Sequence, residues 1–476
     1  MNKGSIGILV LLLLASLAAV VGLRQGLGLQ IDPFWIFSGL LAMVFLLVVI
    51  AKHPAAFMAP MLFAPRLKDL PIVSRFEGTR DFTALTLTAG IVCVALFLRL
   101  MCLCRRPSSP SDPFKGQGKG ILAYLLFATL VSLSYLYSPT PDYGGDKLLR
   151  FLTFGTMSFF APFVLVRGEE DLRDFAAGIV CFALAAATKS LGFSHEGATG
   201  VGENATHIGV GQLIGMAILI LLYYRFANRR LRALSLLICI PWLAAGLVSA
   251  EARGPIFSVL LVLGLGVLVP RWDPNLISRK LMVVVSLAIV AAVLVLAPYW
   301  FRGSTETRFL SKTTELTELA KGSTEAQGTA TRRLVWYGAA LDAMSRHPVF
   351  GWGVGGWSMY YWNQDDRHYP HNLFLEVGVE EGLLGVAALL VLLGTVFQTA
   401  KRGAEEVGSR SGSLLPVLIY VLSVAMFSGD IDDNRFLWFW CGMVLACCRF
   451  ARPDLAENQP NWELADGRNF EGADVI

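Results

Sequence analysis

Hydrophobic and polar positions alternate along this chain in long blocks, not in the short periods of a soluble fold. Apolar stretches at roughly 5–22, 34–51, 83–101, 120–137, 148–166, 172–191, 209–225, 233–250, 255–270, 280–298, 371–398, 413–429 and 434–450 come close to the roughly 20 residues a helix needs to cross a bilayer. A shorter apolar piece at 54–65 carries Pro54 and Pro60 and reads as a re-entrant segment or the broken end of its neighbour. The pattern predicts an all-α polytopic membrane protein of about 12–14 transmembrane helices, interrupted once by a long polar loop that contains short helices. The expected division is 1–298 for the first part of the bundle, 299–370 for the loop, 371–450 for the rest of the bundle and 451–476 for a polar tail expected to be disordered on the cytoplasmic side. Ile6 to Leu23 has a charged start but no small-residue cleavage site, so it reads as a retained first helix. Apart from Lys189 near a span end, the apolar blocks are expected to be nearly free of charge.

Composition agrees: 55% of the 476 residues are hydrophobic and 16% charged, against about 25% charged in soluble proteins. A net charge of +4 is too small to argue for nucleic acid. The cations sit in short loops and report orientation. Arg105, Arg106, Lys115 and Lys119, then Arg225, Arg229, Arg230 and Arg232, then Arg271, Arg279 and Lys280, then Lys401, Arg402 and Arg410 mark alternate, cytoplasmic loops. The opposite side then holds Ser138–Asp146, Gly192–Ile208, Ser249–Gly254, the long loop and Ser428–Asn434. The eight cysteines lie in or at the ends of apolar blocks and form neither a disulfide framework nor a zinc pattern.

Candidate chemistry gathers on that side. Arg253, in the hairpin Ser249–Pro255, is costly so near hydrocarbon unless paired or used; it could equally snorkel or pair with Glu251. The segment 329–344 predicts a helix with Leu334, Tyr337, Leu341 and Met344 on one stripe and Arg332 and Arg333 in its first turn. Cations there oppose the helix dipole unless an anion offsets them, which suits either a bound phosphate or lipid headgroups. His371 stands where the loop meets a hydrophobic helix, and a neutral imidazole is suited to taking a proton from a hydroxyl. His347 and His368 share the loop without metal-ligand spacing. Gly351, Gly353, Gly355 and Gly356 suit a tight turn, with Trp352 and Trp357 expected at headgroup level. Asp430, Asp432 and Asp433 could hold a divalent ion, but helix capping and pairing with Arg435 is the favoured role.

Taken in order, Arg253-Gly254, the string Arg333-x-x-Trp336 to His347-Pro348-x-Phe350-Gly-Trp-Gly-Val-Gly355, and His371-Asn372-x-x-Leu375 followed by Glu381-Gly382-x-x-Gly385 resemble the bacterial O-antigen ligase and polymerase superfamily. The resemblance implies a metal-independent, cofactor-free, inverting membrane glycosyltransferase. Its donor would be an undecaprenyl-pyrophosphate-linked oligosaccharide, its acceptor a glycan or lipid hydroxyl, and its site would face the periplasm from the inner membrane. It implies pyrophosphate contacts from Arg253 and Arg333, with Arg332 able to exchange register, and His371 as base. Chain-length regulators or flippases are candidate partners. The N-terminal segment through Pro65–Pro71 exceeds the ligases' usual plan and looks more like exopolysaccharide polymerases. Two alternatives stand beside this: a protein O-oligosaccharyltransferase, which shares every residue named, and a transporter of an anionic solute, which would show charged or broken helices near mid-membrane and a repeat symmetry.

Overall fold

The computed structural model describes residues 53–63, 114, 116–192, 203–224, 229–250, 252–268, 284, 329–405, 414–427 and 430–447. Of these, 83% are helical and none lies in a strand. A 3-10 turn at Pro54–Phe57 leads into α1 (Met58–Phe63); α2 is Gly118–Ser134; α3 (Pro141–Arg150) runs through a π turn at Phe151–Gly155 into α4 (Thr156–Leu165). Then come α5 (Glu169–Gly192), α6 (Glu203–Tyr223), α7 (Arg229–Ser249) and α8 (Arg253–Leu268). The polar region supplies α9 (Thr329–Arg346) and α10 (Gly356–Trp362), followed by α11 (Leu373–Glu380), α12 (Gly382–Glu405), α13 (Leu414–Ala425) and α14 (Arg435–Cys447). Expected spans at 5–22, 34–51 and 83–101, the span at 280–298 apart from Val284, all of 299–328, and the tail 451–476 lie outside the described residues.

Among the described residues, Gly118–Tyr137, Pro141–Leu165 and Gly382–Arg402 are long and apolar enough to cross a membrane. Their apolar faces divide. Leu122, Leu125, Leu126 and Leu133 of α2 and Leu383, Leu384, Leu390 and Val391 of α12 are exposed, as a lipid-facing surface requires. The opposite faces pack inward, α12 on α2 and α14 on α4, while α6 packs against α5 and α7 and α8 against α13. At the centre Tyr124 stacks on Phe159 at 3.9 Å, and Trp438 meets Phe127 and Phe151 at 5.5 and 5.6 Å. Each such pair adds about 0.5–1.5 kcal/mol beyond its buried area.

Two expectations change, and one open reading narrows. Within the described part of 54–65, α1 has six residues, a rise of about 9 Å, too short to cross a bilayer, and it packs with Met58, Ala59 and Leu62 fully buried. The helix expected from 148 starts at Pro141, where proline suits the first helical position, and so carries Lys147 inside it. The span expected at 371–398 is broken. It starts at Leu373 and ends at Glu380, and α12 restarts at Gly382, whose φ of +68° a side chain would strain.

A broken helix leaves peptide groups without partners, and here the glycine-rich loop supplies them. Trp352 N–H donates to Val379 O at 2.8 Å and Gly353 N–H to Glu380 O at 2.8 Å, while Leu383 N–H donates to Pro348 O at 2.8 Å. That docking needs bare backbone. A Cβ on Gly351 would stand 2.5 Å from the Glu380 carbonyl, and one on Gly353 would stand 2.7 Å from Ser134 O. The tryptophans are not headgroup anchors. Trp357 is buried with Ala340, Ala343 and Val379, and Trp352 donates its indole N–H to Ala343 O at 3.0 Å.

Candidate active site

Three segments expected on one side of the membrane meet at one end of the helices. Tyr137 donates to Phe350 O at 2.6 Å and Ser138 to Val354 O at 2.6 Å. Asp365 accepts from Asp142 N–H and Tyr143 N–H at 3.0 and 2.9 Å, so a loop carboxylate satisfies the free amides that open α3. Arg367 pairs with Asp433 at 2.5 Å. The Tyr337 hydroxyl lies 3.4 Å from Met426 O and 3.5 Å from His371 O.

His371 sits at the centre of this end. Its backbone is left-handed, with φ of +57°, rare for a residue with a side chain. The turn is held from both sides: Asn372 accepts from Phe374 N–H and Leu375 N–H at 3.1 and 3.2 Å, capping α11. Trp336 stacks against the imidazole at 5.4 Å and Tyr369 meets it edge-on at 4.4 Å. Burial first, then the positive charge of Arg333, pushes the imidazole down to about 4, with Asp430 pulling weakly the other way. At neutral pH the ring is therefore uncharged and able to accept a proton. The same burial makes it a weak base, and neutralising Arg333 removes only the second cause of that weakness.

The two neighbouring arginines are not equivalent. Arg333 is half-buried and its charge reaches His371; Arg332, one residue earlier and so about a quarter-turn around the helix, is exposed. Neither makes an ion pair among the described residues. Arg253 opens α8 and is exposed. Its neighbour Gly254 faces Phe427, where an added Cβ would stand 3.3 Å from that side chain, and Phe257 packs on the same ring at 5.3 Å. Phe427 adjoins Met426, the residue Tyr337 links to His371. The α9 stripe differs from expectation: Ala340 and Ala343 are buried with Trp336 and Met344 against them, whereas Leu334, Val335 and Leu341 point outward.

Behind the imidazole lies a cluster that the sequence reading missed. Lys147 Nζ is fully buried and touches Glu376 Oε1 at 2.6 Å, Glu380 Oε2 at 2.6 Å and Asp430 Oδ1 at 2.8 Å. Tyr143 donates its hydroxyl to Asp430 as well. The apolar blocks are thus not nearly charge-free. Two signals pointed here: Glu376 and Glu380 stand one turn apart on an apolar helix, and carboxylates so placed need a cationic partner. Asp430 does not pair with Arg435, which instead donates Nε–H to Leu62 O at 2.8 Å; the aspartate answers Lys147. Its backbone carbonyl still accepts Asn434 N–H at 3.0 Å at the approach to α14. No group of side chains suited to a metal ion occurs among the described residues.

Residues 238–390 match the family described as O-antigen ligase. No curated protein matches the chain. The matched stretch runs from within α7 into α12 and contains Arg253, Arg332, Arg333 and His371, while Lys147 and Asp430 lie outside it. Residues 238–390, about a third of the chain, are thus similar to the O-antigen ligase family, and among the described residues three helices are long and apolar enough to cross a membrane.

Proposed function

We propose that the chain transfers or polymerises undecaprenyl-pyrophosphate-linked glycan onto an acceptor hydroxyl at the periplasmic face of the bacterial inner membrane, with polymerisation of O-antigen or exopolysaccharide units ahead of ligation to lipid A core. The carrying observation is that a neutral imidazole held in a left-handed turn faces the field of an arginine with no carboxylate partner among the described residues. Such a pair has a place for a proton and a place for an anion. The acceptor oxygen attacks the anomeric carbon, and its bond to that carbon forms as the bond from carbon to the pyrophosphate oxygen breaks. The hydroxyl proton passes to His371, and undecaprenyl pyrophosphate leaves with the bonding electrons. Arg333, with Arg253 from α8, stabilises charge growing on that leaving group; bidentate guanidinium geometry suits it better than lysine would.

Donor binding would also tune the base. A pyrophosphate on Arg333 cancels the positive field that weakens His371, so the imidazole gains proton affinity when the donor arrives. Arg332 stands outside that field and serves at most the rim of the site. Residues 299–370 form the periplasmic unit in this reading, between the two parts of the bundle.

Transport of an anionic solute draws some support from the broken helix and the buried charges, since that alternative predicts charged or broken helices, together with a repeat symmetry. The chemistry of the cluster opposes it: three carboxylates around one lysine repel an anion and are closed from solvent. The deciding experiment is purified protein in liposomes with lipid-pyrophosphate-linked glycan, with and without a candidate acceptor. Chain growth indicates polymerisation and single capping indicates ligation. His371→Ala should abolish transfer while the protein remains folded in the membrane; full activity of that variant would remove the base.

A further inference from the structure

We propose that Lys147 is a positioning residue for His371, fixing from the buried side both where the imidazole stands and how strongly it holds a proton. This deepens the reading of His371 as the base and rests on it.

Two chains of contact run from the lysine to the imidazole. In the first, Nζ binds Glu376 at 2.6 Å, and Glu376 lies in the opening turn of α11, whose cap is Asn372, the residue directly after His371. The Glu376 N–H donates to Asn372 O at 2.9 Å, so pinning Glu376 pins the cap. In the second, Nζ binds Asp430 at 2.8 Å, and Arg367 Nε stands 3.9 Å from the other Asp430 oxygen. The Arg367 guanidinium lies over the Tyr369 ring at 5.9 Å, and that ring meets His371 at 4.4 Å. Both routes converge on a turn whose left-handed backbone needs support from its surroundings. Nothing in the transfer reaction itself requires a buried lysine on α3, yet this one holds carboxylates from α11 and from the turn before α14 together.

The charges lead to the same place. Those facing the imidazole are Arg333 from α9, which weakens its hold on a proton, and Asp430 from the turn before α14, which strengthens it. Arg367 and Tyr369 lie between. Lys147 neutralises Asp430 directly, so it governs how much of that negative field reaches His371. Removing the lysine's charge should therefore strengthen the base's hold on a proton, and removing Asp430's charge should weaken it.

The test uses the full chain in proteoliposomes with lipid-pyrophosphate-linked glycan extracted from the source membranes. It reads kcat, donor KM and the acidic limb of kcat/KM against pH for the wild type, Lys147→Met, Lys147→Arg, Asp430→Asn and His371→Ala. Lys147→Met should lower kcat at least tenfold with donor KM within threefold and move the acidic limb to higher pH. Lys147→Arg should recover part of the rate, and Asp430→Asn should move the limb to lower pH. A merely structural lysine would lower the amount of active protein without moving the two limbs in opposite directions. If Lys147→Met is not recovered in the membrane, Lys147→Met with Glu380→Gln removes one charge of each sign and is read on the same scales. Wild-type kcat and an unmoved limb in either variant, with His371→Ala inactive, overturns the positioning role alone. Full transfer by His371→Ala overturns the underlying reading instead.

Discussion

Two polar regions lie back to back in this molecule and handle charge in opposite ways. Around Lys147 every contact is internal: one ammonium meets three carboxylates, all fully buried. In the other region, Arg333 and Arg332 have no carboxylate partner among the described residues, and His371 is kept uncharged. Charges that answer one another inside the protein hold elements together, whereas cations left unanswered at the surface of a membrane protein select for an anion that comes from outside. The contrast separates scaffold from site without reference to any relative.

That contrast can be broken in order of expected effect. Lys147→Met leaves three carboxylates without their cation and should destabilise the fold by about 3–5 kcal/mol, measured as a lower denaturation temperature in detergent; an unchanged midpoint would mean the cluster does not hold the elements together. Arg333→Ala should leave stability unchanged but cut transfer by about 10²–10³-fold, and Arg333→Lys should recover little of it. Near-wild-type transfer by the lysine variant would argue against two-pronged phosphate binding. Gly351→Ala pushes a methyl toward the Glu380 carbonyl at a positive φ and should cost about 1–3 kcal/mol; a stable, fully active variant would show that the loop need not dock on the helix break. Asn372→Ala removes the cap of α11 and should cost about 1 kcal/mol, with a larger loss of transfer than of stability if the cap serves His371.

The last effect is read in pH. His371 sits below its ordinary value in the folded protein, to about 4 from 6.5, so the folded state disfavours the proton. Above about 6.5 both states leave the ring neutral and nothing is lost. As pH falls from there toward 4 the unfolded chain binds the proton first, so stability should decline through that window and level off below it. His371→Gln should flatten that part of the curve, and an identical curve for both proteins would remove the assignment.

Much of this was legible one residue at a time. Block length and apolarity announced membrane helices because hydrocarbon accepts little else, and the arginines and histidine stood out because charge next to a bilayer requires a reason. The glycine run announced a turn, though not that its bare backbone would fill the gap between α11 and α12. Asp430 was misassigned because the nearest cation in sequence, Arg435, is not the nearest in space. Helical stripes misled at α9 for a related reason: Leu334 and Leu341 look like core, but small Ala340 and Ala343 let the tryptophans pack close.

By itself, then, the sequence determined that the chain carries blocks apolar enough for lipid, that a long polar segment separates those blocks, and which cations and imidazole that segment offers, since all of these follow from local composition and period. Only the tertiary structure decided that Lys147 answers Glu376, Glu380 and Asp430, that Arg333 and not Arg332 faces His371, and that the last long span is broken at Gly382. Those are pairings between residues up to hundreds of positions apart, and which partners meet depends on how helices pack, a property no single stretch of chain contains.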